Sequence, residues 1–258
     1  MKLYLVRHGA STGNTPGNLM GQSDHPLTEL GEAQARSVAA RLAPLGPMPV
    51  YCSDLLRARV TAEAIARVWM RVGEASSPDA AAGGASPLAA GTSAAPLVLP
   101  DPRLRELHLG DFEDRCWDDF VAHRDLGEAF DVDPYNTALP GGESLALLEK
   151  RVLAAVHEIV AAAAPPAKGV AGSTLATGAA APADDAAAVL VAHDGPIRSI
   201  VNHYLGVPPQ KWWTLTTTHG GLSLLEWIDG WVNVRFVNDT SHLAGIAAPS
   251  GGTPEDAR

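Results

Sequence analysis

MKLYLVRHG, residues 1–9, decides the fold of this chain, because an apolar run ends there in an arginine, a histidine and a glycine. The run has the length of a buried β-strand, and the glycine allows the backbone to turn sharply after it. In open α/β sheets, ligands bind at the carboxyl ends of the strands. The stretch therefore predicts that Arg7 and His8 lie at the mouth of a ligand site, although an isolated Arg-His-Gly is more often an ordinary turn.

Helical and strand patterns alternate after this first strand. Helices are predicted over residues 28–42, 53–69 and 143–162, and further strands over residues 50–52, 97–99 and 189–192. Thr28 is the expected N-cap of the first helix, and Ser53 with Asp54 the expected cap of the second. Two β-type runs, 222–228 and 231–237, flank an Asp-Gly pair that is typical of a hairpin turn. The order predicts an α/β fold, a three-layer α/β/α sandwich with a mostly parallel mixed sheet and a C-terminal antiparallel hairpin.

The 258 residues can bury one sizeable core, and we expect a single domain over residues 1–246. Two segments near residues 73–96 and 161–187 consist largely of Ala, Gly, Pro, Ser and Thr, so they are interpreted as surface insertions. Residues 247–258 are predicted to be a disordered tail.

Charge and composition exclude several classes of protein. A formal net charge of −10 argues against a nucleic-acid surface, and no apolar run approaches the ~20 residues that cross a membrane. Cys52 and Cys116 form neither a disulfide framework nor a zinc-site spacing, so a cytoplasmic location is expected. The oligomeric state stays open, with a homodimer among the alternatives, because the Trp212-Trp213 pair fits an interface or a core.

Four separate segments carry residues suited to holding a phosphate at a strand end or in a loop. They are residues 7–9 with Asn14 nearby, residues 53–58, residues 104–107 and residues 191–196.

Taken together, these segments resemble the histidine phosphatase superfamily, the phosphoglycerate-mutase-like proteins. One motif alone is weak, but seven motifs in family order are specific. They are LVRHG at 5–9, PLTELGEAQA at 26–35, SDLLRARVTAEA at 53–64, RLRELHLGDFE at 103–113, PGGES at 140–144, VAHDGPIR at 191–198 and NDTSHL at 238–243.

The resemblance implies a role for five residues. His8 matches the nucleophile that becomes a phosphohistidine, and Arg7, Arg57 and His193 match the pocket around the transferred phosphoryl group. Fixed cationic donors there stabilise the charge that spreads over the equatorial oxygens. Glu106 matches the proton donor to the leaving group, and in the second step the base that activates water. Neither a metal nor a cofactor is expected.

Five further residues are assigned to substrate or phosphate binding: Asn14, Gly21, Gln22, Asp194 and Gly195. Asp194 stands where family members commonly have glycine, and a carboxylate beside a phosphate repels it. We therefore predict that Asp194 points away and serves the helix that Pro196 opens. The remaining histidines are interpreted as surface or structural residues, His219 least firmly because it precedes a strand that could end near the site.

The segment 107–139, called the cover below, suggests which reaction is carried out. It holds nine carboxylates against two arginines, which argues against a mutase, since a mutase must retain a second acidic group. Within the phosphatases, Phe112-Glu113 and Trp117 resemble the pattern of the α-ribazole phosphatases. The prediction is a metal-independent phosphomonoesterase for a small phosphorylated metabolite, with α-ribazole phosphate in cobalamin biosynthesis as one candidate. The alternatives are a cofactor-dependent phosphoglycerate mutase and a catalytically silent relative that binds phosphorylated ligands.

Overall fold

The structure, a computed structural model, describes residues 1–75, 98–163 and 186–246. Most of the two predicted insertions and the whole predicted tail at 247–258 lie outside these residues. The described edges of the insertions are regular, because a helix continues to Ala75 and a strand begins at Ala187.

The described chain contains eight strands: β1 (Lys2–Arg7), β2 (Asn18–Leu19), β3 (Val50–Cys52), β4 (Val98–Pro100), β5 (Arg115–Cys116), β6 (Ala187–Ala192), β7 (Leu222–Ile228) and β8 (Trp231–Asp239). Six of them form one sheet in the order β4-β3-β6-β1-β7-β8, while β2 and β5 form a separate ribbon. The first four strands of the sheet are parallel, and β7 and β8 form the antiparallel C-terminal hairpin. The predicted mixed sheet is confirmed.

Six α-helices accompany the strands: α1 (Glu29–Leu42), α2 (Leu56–Ala75), α3 (Trp117–Ala122), α4 (Arg124–Val132), α5 (Leu145–Ala162) and α6 (Asp194–Leu205). Strand β1 is buried on both faces: Leu3 and Leu5 pack with α5 and α6, and Tyr4 and Val6 pack with α1 and α2. Alternate side chains of a strand point to opposite faces, so one strand supplies both cores. The result is the predicted three-layer α/β/α sandwich.

Short-range signals set several element boundaries. The Thr28 side chain accepts a hydrogen bond from the backbone N–H of Gly31, which confirms the predicted cap of α1. Asp229 and Gly230 both have positive φ, 49° and 82°, as a two-residue hairpin turn of this type requires.

The prediction that Asp54 caps α2 is wrong. The backbone N–H groups at the start of α2 do not bind the Asp54 side chain. The N–H of Leu55 donates to the Ser53 hydroxyl, and the N–H of Leu56 donates to the carboxylate of Asp24. Asp54 instead accepts two hydrogen bonds from Arg105, at 2.7 and 2.6 Å. A bidentate, charge-assisted pair is stronger than a single capping bond, and it draws the carboxylate away from the helix.

The cover contains the ribbon strand β5 and the helices α3 and α4. It has a small apolar cluster of its own, built on Phe112, Phe120 and Leu139. Trp213 is half exposed and its ring contacts Phe130 of α4, whereas its neighbour Trp212 is buried in the main core. The tryptophan pair is thus divided between core and surface. None of the helices in the described part of the chain is both long and apolar enough to cross a membrane.

Candidate active site

The parallel strands β1, β3 and β6 are neighbours, so their carboxyl ends meet at one edge of the sheet. His8 follows β1, His193 follows β6 as the N-cap residue of α6, and Arg57 lies in the first turn of α2 after β3. The ring centroids of the two histidines are 4.9 Å apart. The fold therefore gathers the residues of three separate motifs.

His8 is buried, and its Nδ1 lies 2.6 Å from the carbonyl oxygen of Gly9. A carbonyl oxygen can only accept, so Nδ1 carries the proton and Nε2 has a free lone pair. Burial holds the pKa of His8 well below its usual value, and the neighbouring histidines and arginines lower it further. His8 is therefore a neutral imidazole whose unprotonated Nε2 has the form that a nucleophile needs.

Arg7 and Arg57 are held by backbone carbonyls. Arg57 is fully buried and donates to the carbonyls of Ser23 at 2.6 Å and Gly21 at 2.8 Å. Arg7 donates through Nη1 to the carbonyl of Thr217 at 2.5 Å. The buried Nε of each arginine has no hydrogen-bond partner among the described residues. Both guanidinium groups are fixed in place and keep a free donor.

His193 and His219 complete a cluster of unpartnered nitrogens. Both ring nitrogens of His193 and Nε2 of His219 are buried without a partner in the described part of the chain. Burial above all lowers the pKa of each ring well below its usual value, and the two nearby arginines add to the effect. Buried polar groups in folded proteins are normally paired. Together with the two arginine Nε atoms, these nitrogens form a site prepared for an anion.

His219 is the residue that the sequence did not assign to the site. Its ring centroid lies 5.3 Å from that of His8, so a third imidazole borders the nucleophile. The only sequence signal was its position just before β7.

Glu106 has the surroundings of a proton donor. Its Oε1 accepts from the N–H groups of Leu107 at 2.9 Å and Gly195 at 3.0 Å. Burial raises the pKa of Glu106, the charge of Asp194 raises it further, and the Leu107 N–H and two arginines act against this. A Cβ at position 195 would lie 2.3 Å from Oε1, so any larger residue there would displace the carboxyl group.

Arg151 of α5 holds the segment that carries Glu106. Its guanidinium donates to the carbonyls of Arg103 and Arg105, each at 2.7 Å, and of Glu106 at 2.8 Å. It also pairs with Glu143, whose carboxylate accepts from the N–H of His108. Sequence reasoning matched the motif that contains Glu143 but did not single out Arg151.

The loop residues predicted to contact substrate occupy different positions. Gly21 has a φ of 51° and offers its carbonyl to Arg57, while the Gln22 side chain donates to the carbonyl of Glu106 at 3.0 Å. Both thus border the site. Asn14 is exposed, and its Oδ1 accepts from the N–H and hydroxyl of Ser11 within its own turn.

Asp194 lies in the first turn of α6 and is directed toward two neighbours. Its Oδ1 accepts from the Thr217 hydroxyl at 2.6 Å, and its Oδ2 lies 2.7 Å from Nε of Arg198. The distance to Nη1 of Arg7 is 3.7 Å, so the carboxylate borders the anion site. The prediction that Asp194 points away from the phosphate pocket is therefore wrong, because Thr217 and Arg198 hold its carboxylate beside Arg7.

A neutral histidine beside two fixed arginines, with a carboxyl group whose pKa is raised by burial, is suited to phosphoryl transfer. The model of the histidine phosphatase superfamily, branch 1, matches residues 3–76, 75–170 and 171–240. The chain belongs to the histidine phosphatase superfamily.

Individual relatives carry different names. The probable phosphoglycerate mutase GpmB of Erwinia tasmaniensis is 30% identical, over 96% of this chain and 97% of its own length. The mycobacterial glucosyl-3-phosphoglycerate phosphatase, solved with inorganic phosphate, has a TM-score of 0.67 at 25% identity, over 93% of this chain and 98% of its own. The α-ribazole phosphatase of Shigella flexneri has a TM-score of 0.66 at 21% identity, over 93% and 96%, which speaks for the fold alone.

Proposed function

We propose that this enzyme hydrolyses a small phosphorylated metabolite through a phosphohistidine on His8, without a metal ion. One observation carries the proposal: a neutral histidine with a free Nε2 lies among buried nitrogens that have no partner in the described residues. Arg7 and Arg57 supply the positive charge that a metal would otherwise supply.

The first step transfers the phosphoryl group to the enzyme. Arg7, Arg57 and His193 hold the phosphate oxygens, and the Nε2 lone pair of His8 attacks phosphorus in line with the ester bond. As the ester bond breaks, the proton of Glu106 passes to the leaving oxygen and the alcohol departs. The raised pKa of Glu106 favours the protonated carboxyl group that this transfer needs.

The second step returns the enzyme to its starting state. The Glu106 carboxylate takes a proton from water, and the water oxygen attacks phosphorus. The bond between phosphorus and Nε2 breaks, so inorganic phosphate leaves, His8 is neutral again and Glu106 is protonated again.

The acidity of the cover favours hydrolysis over mutase activity. A mutase must retain a substrate with further acidic groups, and exposed carboxylates of the cover, such as Asp111, Asp118 and Asp125, repel them. The second candidate is a phosphoglycerate mutase, which the names of the curated relatives favour. A silent binding protein is the weakest alternative, because it needs neither a nucleophile nor a proton donor.

α-Ribazole phosphate is the specific substrate we propose to test first. Phe112 is buried in the apolar cluster of the cover, and the half-exposed Trp117 ring lies 5.0 Å from that of Phe120. Of these aromatic groups, the half-exposed Trp117 ring suits a leaving group with an aromatic base. A cytoplasmic location is proposed because Cys52 and Cys116 are both free thiols.

The deciding experiment is hydrolysis of p-nitrophenyl phosphate in the presence of EDTA, with an alkaline denaturing quench to trap a phosphoenzyme, because the phosphorus–nitrogen bond of phosphohistidine is labile in acid. We expect activity and a phosphoenzyme in the wild type and neither in His8→Ala. Loss of activity on adding EDTA, or activity retained in His8→Ala, would contradict the mechanism. A panel that includes α-ribazole phosphate and 3-phosphoglycerate then identifies the substrate, and phosphoglycerate interconversion without phosphate release would favour the mutase.

A further inference from the structure

Asp194 connects the phosphate side of the site to the proton-donor side. On the phosphate side, the Thr217 hydroxyl donates to its carboxylate, while the Thr217 carbonyl accepts from Nη1 of Arg7. The carboxylate itself lies 3.7 Å from the same Nη1. One carboxylate and one threonine thereby fix the direction of the Arg7 guanidinium.

On the other side, Asp194 directly precedes the glycine whose N–H binds Glu106. Helix α6 begins at Asp194, so the start of this helix fixes both the Asp194 side chain and the Gly195 N–H that binds Glu106. A second anchor, Arg198 one turn later, lies over the rings of Trp212 and Trp213 at 5.4 and 5.5 Å. The carboxylate therefore cannot turn away from the site without breaking several contacts.

We propose that Asp194 is a positioning residue for the proposed hydrolysis: its carboxylate orients Arg7 through Thr217, and its charge keeps the proton on Glu106 until the leaving group takes it. This inference rests on the proposed function of the site. It also explains how a carboxylate is tolerated beside a phosphate pocket, since Arg198 and Thr217 bind both of its oxygens.

The charges around Glu106 give the sign of the effect. Arg7 of β1 and Arg57 of α2 stabilise its ionised form, as does the Leu107 N–H, while Asp194 of α6 disfavours that form. Arg151 of α5 binds the backbone carbonyl of Glu106. The histidines of the site contribute no positive charge near neutral pH, because the pKa of each is well below its usual value: His8, His193 and His219.

Removal of the Asp194 charge leaves burial alone to oppose the two arginines and the Leu107 N–H, so Glu106 loses its proton at a lower pH. A proton donor works only while protonated, and the alkaline limb of the pH profile must then move to lower pH. The effect depends on the leaving group. Phenoxide is a poor leaving group that needs the proton, whereas p-nitrophenoxide is a good one that needs it little.

The test is the pH profile of kcat/KM for phenyl phosphate and p-nitrophenyl phosphate in the wild type and in Asp194→Asn, which keeps the shape of the side chain. With phenyl phosphate, we expect the loss in the variant to be about ten-fold larger at the alkaline end of the profile than at the acid end. With p-nitrophenyl phosphate, the loss is nearly the same across the range.

Two control variants separate charge from anchoring. Thr217→Val removes the hydroxyl but keeps the carboxylate, so it lowers kcat/KM without moving the alkaline limb. Asp229→Asn removes an exposed carboxylate of the turn between β7 and β8, outside the site, and leaves both profiles unchanged. Thermal unfolding of each variant confirms that the fold is retained.

An alkaline limb that does not move in Asp194→Asn would overturn the inference, as would an Asp194→Gly variant that turns over orders of magnitude faster. If the wild type hydrolyses neither ester, the proposed function fails instead. In that case, an NMR titration of the Glu106 carboxyl carbon in the wild type and in Asp194→Asn still tests the inference about Asp194. Identical titration curves would overturn the inference, and a curve displaced to lower pH in the variant would support it.

Discussion

The floor of the site and its cover are built in different ways. The floor, meaning Arg7, His8, Arg57 and His193, lies at the ends of packed strands, and all but Arg7 are almost fully buried. The cover carries short helices, one two-residue strand of the ribbon and many exposed carboxylates. Rigid placement favours a fixed phosphoryl-transfer geometry, and an open, acidic surface favours a choice of leaving groups. We infer that the floor determines the reaction and the cover determines the substrate.

The contacts between the two regions support this division. Glu113 of the cover accepts from the Leu109 N–H within the cover, and from the Gln22 N–H and the Ser23 hydroxyl outside it. The Ser23 carbonyl in turn accepts from Arg57 of the floor. Beside this polar connection, a cavity of about 100 Å³ remains between the cover and α5, with Leu107 and Trp213 in its wall. The cover is thus joined to the rest of the site by a few polar contacts beside an apolar cavity.

The largest effect is expected at the nucleophile. Removal of the imidazole in His8→Ala leaves no group to accept phosphorus, and kcat for p-nitrophenyl phosphate should fall on the order of 10⁵-fold. The measurement is steady-state hydrolysis, with His203→Ala as the control because that histidine is exposed. An equal loss of kcat in both variants would mean that His8 is not the nucleophile.

Arg57→Lys tests the geometry of the floor. A lysine cannot reproduce the planar fork that binds two carbonyls and still offers a third donor, so kcat/KM should fall about 10²- to 10³-fold. Arg59→Lys, an exposed residue of the same helix, is the matched control and should retain full activity. Near-normal activity in Arg57→Lys would show that charge alone is sufficient.

Gly195→Ala tests the close approach of α6 to the proton donor. The added methyl group would lie 2.3 Å from Oε1 of Glu106 and must displace the carboxyl. We expect a loss of roughly 10- to 100-fold in kcat/KM for phenyl phosphate and a smaller loss for p-nitrophenyl phosphate. Gly127→Ala, in an open position on α4, is the control; equal losses for both esters would remove Glu106 from the explanation.

Glu113→Ala tests the connection between floor and cover. The substitution leaves two N–H groups and one hydroxyl without their acceptor, so urea unfolding should report a loss of about 1–3 kcal/mol. Hydrolysis of the small p-nitrophenyl ester should change little, since the floor keeps its own contacts. Asp111→Ala, an exposed neighbour, serves as the control. A loss of activity as large as that of Arg57→Lys would contradict the division into two regions.

Patterns within a short stretch of sequence correctly predicted the elements that depend only on neighbouring residues. The cap of α1 by Thr28, the short strand β3 and the turn between β7 and β8 each depend on residues within a few positions of one another. Asp54 was misassigned because its competing partner, Arg105, is 51 positions away in sequence. The same limit applies to Arg151 and His219, whose neighbours come from other elements.

The sequence by itself determined which chemical groups are present and in what order, and its motifs identified the five residues that the fold brings into one pocket. Only the tertiary structure decided their states. The free Nε2 of His8 depends on one carbonyl contact, and the pKa directions of His8 and Glu106 depend on burial and on charges from several elements. Electrostatic effects act through space between residues far apart in the chain, so no stretch of sequence contains them.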